Sequence, residues 1–156
     1  MSAPAGGHRI EQRTPLPAGA SDWTNTLQTI ASRELGEPVT VRWIWSTQLG
    51  GQAYRSFGRV IELNHGIALE DLPYVFFHEL GHHACGHCND YDLSAPPDPE
   101  QMPAITFLSE RQADPEATAL LALVEQREHE ADVWALCALA EFEAVHGPLL
   151  GLLIQN

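Results

Sequence analysis

The chain is short of positive charge: 8 basic residues stand against 21 acidic ones, a formal net charge of −13. A surface so biased repels phosphate backbones, which argues against direct nucleic-acid binding; a solvated surface is the plain reading of the excess, and a basic protein partner the sharper one. Long apolar runs are missing too. Nothing approaches the roughly 20 consecutive apolar residues of a membrane-spanning helix, so no membrane role is expected. The first 20 residues carry Pro4, Gly6, Gly7, Pro15 and Pro17 without an apolar core, unlike a secretory leader. They read as a flexible tail, with the cytoplasm as the expected compartment. The three cysteines are too few for a disulfide framework and suit free thiols there. There is no internal repeat.

What is present suffices for one domain with its own core over residues 21–156, since 44% of the 156 residues are hydrophobic. Ser21 or Asp22 can cap a helix to about Leu35 whose apolar face is Trp23, Leu27, Ile30 and Ala31; Gly36 and Pro38 end it. Val39 to Trp45 alternates as a half-buried strand. Gln52 to Phe57 and Arg59 to Asn64 read as two more, joined through Gly58 in a meander. A helix starts near Glu70 or Asp71, carries Pro73 in its first turn and ends near Gly86. Asn89 to Pro103 is a proline-rich loop. Asp114-Pro115-Glu116 opens a helical stretch to about His146, with room for a break at Gln126 to Glu128. This order predicts an α+β fold, a small antiparallel or mixed sheet of about three strands packed on helices.

The chemistry gathers at His78-Glu79-Leu80-Gly81-His82. On a helix, residues four apart share a face, so His78 and His82 can close on one Zn²⁺ while Glu79 acts as general base on metal-bound water. Two surface histidines and a solvated acid are the plainer alternative, weakened by the packed neighbours Phe76, Phe77 and Leu80. A catalytic zinc needs a third protein ligand. The three-histidine scheme His-Glu-x-x-His-x-x-Gly-x-x-His fails in register: Gly86 falls one place late, His87 one place early, and Cys88 takes the third histidine's position. Farther on, Glu128 and Asp132 share a helical face with Val124, Ala131 and Ala135. Glu128 suits a ligand, and Asp132 suits a partner for the free ring N–H of His78 or His82. Glu125, Arg127 and Glu130 read as solvated charges. His83, His87, Tyr74 and His65 are candidates for a pocket rim, with Tyr54, His65 and Tyr74 as candidate oxyanion donors. Cys85-Gly86-His87-Cys88 spells a dithiol motif, but it closes an apolar helix where a redox motif would open one after a strand. Cys137 is expected in the core.

His78-Glu79-Leu80-Gly81-His82, followed by Glu128-x-x-Ala131-Asp132 and Trp134-Ala135, resembles the ImmA/IrrE family of small metallopeptidases, over roughly Val39 to Leu139. The resemblance implies a minimal thermolysin-like (gluzincin) zincin domain. It makes His78, His82 and Glu128 the ligands of one Zn²⁺, or Mn²⁺ in its place, with Glu79 as catalytic base and Asp132 behind the ligands. Relatives cut transcriptional repressors, so the expected function is a zinc-dependent endopeptidase acting on a specific protein, such as a DNA-binding repressor. The family's Leu-Leu-Met-Pro-like continuation is absent, and no helix-turn-helix pattern is evident. The strand through Ile61 to Asn64 is expected to offer an edge to an extended peptide. The second reading is a non-catalytic, antitoxin-like metal-binding module; the third is a thiol–disulfide oxidoreductase. Sequence sets no oligomeric state.

Overall fold

The strand Arg59–Asn64, β3, is buried along Val60, Ile61, Glu62, Leu63 and Asn64. A strand buried on both faces belongs in the middle of a sheet, and β3 is there. In the computed structural model, which describes residues 20–88 and 115–155, the order is β1-β3-β2. β1 (Val39–Ile44) runs parallel to β3, and β2 (Gly51–Arg55) antiparallel to it. The expected meander is therefore corrected: β2 and β3 form a hairpin, but β1 pairs on the far side of β3. It follows that β3 offers no edge to a peptide. Both of its hydrogen-bonding sides are taken, and the sheet's edges are β1 and β2.

The β1 edge is covered by α1 (Ala20–Leu35). The Val39 and Val41 N–H groups donate to Ser32 Oγ (3.1 Å) and Gln28 Oε1 (3.0 Å), and Trp43 Nε1 donates to Thr24 Oγ1 (2.6 Å). Side chains of one helix thus stand where another strand would pair, which blunts the edge against further strand addition. Trp23, Leu27, Ile30 and Ala31 of α1 are buried as their spacing predicts, and Gly36 ends the helix in the left-handed region at φ 72°. The helix starts at Ala20, ahead of the expected caps.

A 3-10 turn, Leu69–Asp71, leads into α2 (Leu72–Ala84), with Pro73 in its first turn. The long helix α3 (Pro115–His146) is continuous through Gln126 to Glu128, so the break allowed there is absent. A short α4 (Leu149–Gln155) buries Leu149 and Leu153. One core joins these parts: Leu27 of α1, Val41, Ile61 and Leu63 of the sheet, Val75, Phe76, Phe77 and Leu80 of α2, Ala135 of α3 and Leu149 of α4. Burying a side chain of the size of Leu or Phe contributes about 1.5–3 kcal/mol, so α2, with four such residues inside, is among the firmest parts of the fold. The α+β class holds. Cys137 does not lie in the core; it is exposed. At 100° per residue it points some 200° away from Ala135, one of the α3 residues that face inward. No helix among the described residues is long and apolar enough to cross a membrane. The N-terminal tail, the proline-rich loop and the Asp114 cap lie outside the described residues.

Candidate metal centre

Small residues bring the site together. A Cβ added to Gly81 of α2 would stand 2.9 Å from the Ala131 carbonyl oxygen and 3.2 Å from the Trp134 ring. Ala131 and Ala135 are fully buried opposite. Here α2 and α3 touch backbone to backbone, the closest approach that glycine and alanine permit. That contact carries the acidic face of α3 onto the histidine face of α2.

Across this seam His78 Nε2 lies 3.0 Å from Glu128 Oε2, His82 Nε2 lies 3.1 Å from Glu128 Oε1, and the two Nε2 atoms are 3.2 Å apart. The three side chains form the one group of metal-ligand atoms among the described residues. Ligands held tetrahedrally at about 2.0–2.1 Å from Zn²⁺ stand roughly 3.3–3.4 Å from one another. Taking one ligand atom from each side chain, the three lie within 4.8 Å of one another, wider than that triangle but with the two Nε2 atoms already 3.2 Å apart and one Glu128 oxygen beside each. Its donor set also fits. Asp132 Oδ1 accepts from His78 Nδ1 at 2.7 Å, which leaves the Nε2 of a neutral His78 as a lone pair aimed at a carboxylate and another imidazole nitrogen. With His78 neutral, acceptors converge there, and either a second proton on His78 or a metal cation resolves the convergence.

The electrostatics agree. Burial alone would push His78 down, but its hydrogen bond to Glu128 and the charges of Glu79, Glu128 and Asp132 win and lift it to about 9. Burial likewise works to raise Glu128, and its bonds to His78 and His82 outweigh that and hold it well below the carboxylate range. The pocket favours positive charge. Glu79 is the third acid here. Its own burial pushes it above the ordinary range, with His82 and His78 pulling the other way. Gly51, the first residue of β2, makes room for it: a Cβ there would meet Glu62 O at 2.8 Å and Glu79 Cγ at 3.1 Å.

The remaining candidates fall elsewhere. Tyr74 is not free to stabilise an oxyanion, because its hydroxyl donates to Asp132 Oδ1; burial, followed by the Asp132 bond, pushes its pKa up and keeps it a donor. Tyr54 donates to Glu62 Oε2 (2.8 Å) inside the sheet. His65 stands beside Trp45, ring centroids 5.6 Å apart. His83 is buried, with Nε2 2.9 Å from Val60 O and Nδ1 3.2 Å from Arg59 Nη1, pinning α2 to β3. His87 is buried too, with Nδ1 2.9 Å from His82 Nδ1 and Nε2 2.8 Å from Glu130 Oε1. Glu130 is exposed, as expected of a solvated charge, and also holds His87; no spacing in the sequence connects the two, and only packing does. The dithiol motif has the wrong electrostatics for redox work. Burial pushes Cys88 up to about 12 and raises Cys85 as well, against thiolate formation. Comparison with family models, with curated proteins and with solved structures returned no match for this chain.

Proposed function

We propose that this domain is a metal-dependent peptidase, zinc being the preferred ion, that hydrolyses a peptide bond in a protein substrate. The observation that carries the proposal is the convergence of His78, His82 and Glu128 at 3.0–3.2 Å, with the buried acid Glu79 next to the first ligand on the same helix. Two histidines and one glutamate leave a tetrahedral ion one open position, which a purely structural zinc site would close. When bound, Zn²⁺ supplies a Lewis acid that polarises the scissile carbonyl and acidifies water.

The chain's own residues do the rest. His78 and His82 present Nε2, and Asp132, itself held by Tyr74, orients the His78 ring. Glu79 takes a proton from the attacking water and passes it to the leaving amine. Burial raises its pKa above the ordinary carboxylate range, which strengthens it as a base. The substrate docks on β2. Among the described residues β2 is the sheet edge that α1 does not cover, and Gly51 at its start lies against Glu79, so an extended peptide paired there would pass the base. A DNA-binding repressor as the substrate is the proposal's finer form, supported by the resemblance to the ImmA/IrrE family.

The test is Glu79→Gln. The variant should bind one zinc per chain as wild type does, yet lose cleavage of a proteome-derived peptide library read by mass spectrometry. Undiminished cleavage by it refutes the mechanism. Zinc binding with no cleavage by wild type would favour the non-catalytic metal module instead.

A further inference from the structure

The helix that carries both histidines ends in a way that places a third. Gly86 lies in the left-handed region at φ 79°, the Gly86 N–H donates to His83 O (3.1 Å), and the His87 N–H donates to His82 O (2.9 Å). This pair of bonds is the Schellman motif, whose geometry sets the side chain two places beyond the cap against the one in the last turn. That contact is ordinarily apolar. Here it joins two imidazoles, His82 and His87, with ring centroids 5.1 Å apart and Nδ1 facing Nδ1 at 2.9 Å.

Resting on the metal-centre reading above, we propose that His87, anchored by Glu130, is the positioning residue of the second histidine ligand and selects the tautomer in which His82 can bind a metal. An ionised carboxylate only accepts, so Glu130 Oε1, 2.8 Å away, places the ring proton of His87 on Nε2. Nδ1 of a neutral His87 is then a lone pair and must accept from His82 Nδ1. In a neutral His82 the one ring proton is then held on the side away from Glu128, and Nε2, the atom 3.1 Å from Glu128 Oε1, is left with its lone pair. With the roles reversed, His82 would carry its proton where the ion belongs. Asp132 does the same for His78, so each histidine has its own orienting chain, one ending in Asp132 and one in Glu130. This also assigns His87 a role that the three-histidine spacing could not: it supports a ligand and does not become one.

The test is zinc affinity of the full chain, by competition with a chromophoric chelator. His87→Ala should bind zinc about 10–100-fold more weakly than wild type, the usual effect of losing such a partner. His87→Asn keeps an acceptor near the Nδ1 position and should recover most of the loss. Glu130→Ala, on a residue 44% exposed at its side chain, leaves the core intact and should weaken binding in the same direction. Ring ¹⁵N spectra of zinc-loaded wild type should show His82 with its proton on Nδ1. A merely structural role for His87 would lower the melting temperature of the metal-free variants and leave zinc affinity and the His82 tautomer as they were. That outcome overturns the inference, as does His82 ligating through Nδ1. Wild type that binds no zinc would instead sink the metal centre itself.

Discussion

Adding one methyl group at Gly81 tests how the centre is assembled. In Gly81→Ala the new Cβ would lie 2.9 Å from the Ala131 carbonyl oxygen and 3.3 Å from Ala131 Cα, both backbone atoms that no rotamer change can move. Restoring ordinary contact requires α2 and α3 to separate by about 0.5 Å. On stability two effects oppose each other. Alanine in a helix interior is favoured over glycine by about 1 kcal/mol, while overpacking a tight contact costs about 1–3 kcal/mol. The net change is a loss of roughly 0–2 kcal/mol, small enough for the variant to fold. On the metal centre nothing compensates. Glu128 and Asp132 ride on α3, and a displacement of that size exceeds the roughly 0.2 Å tolerance of a zinc–ligand bond. Gly81→Ala should therefore lose zinc affinity by an order of magnitude or more while its metal-free melting temperature moves only a few degrees. Chelator competition and calorimetry on the metal-free form measure the two separately. Wild-type zinc affinity in Gly81→Ala would show that close approach at Gly81 does not set the geometry of the site.

Other perturbations separate the remaining parts. Asp132→Ala should reduce zinc affinity by about 10–100-fold, and Tyr74→Phe by less, since it removes only the hydroxyl that bonds Asp132 and keeps the ring that lies against His78; equal losses would contradict that order. Burial, ahead of all other causes, lowers His83 from 6.5 to about 4 in the folded chain. Above pH 6.5 the ring is neutral in both states and its contribution to stability is complete. As the pH falls towards 4 the unfolded chain takes up the proton first, so stability drops by up to roughly 3 kcal/mol and then levels off. Urea melts of the metal-free protein should show this slope in wild type and lack it in His83→Gln; parallel pH curves would refute it. Gly86→Ala should cost about 1–2 kcal/mol for a Cβ in the left-handed region, and Gly86→Asn noticeably less. Thermal melts that rank the two alike would count against the Schellman geometry.

Much of the centre is legible in the sequence because it is local. A helix pitch of 3.6 residues puts His78 above His82, and Glu128 beside Asp132, whatever surrounds them. The same periodicity finds the buried face of α1, and the run of apolar residues finds α2. The bounds of β3 match the expected Arg59 to Asn64. Other features have no local signature. Alternation identifies strands but not their neighbours, so the parallel pairing of β1 with β3, which moves the free edge to β2, came only from the assembled sheet. Tyr74, 58 residues from Asp132, and His87, 43 residues from Glu130, find those partners through the contact of α2 with α3. The motif His78-Glu79-Leu80-Gly81-His82 determined by itself that two imidazoles share a face. Helix packing at Gly81 and Ala131 decided which acids meet them, because side chains far apart in the chain are brought together by close packing and by nothing in their spacing.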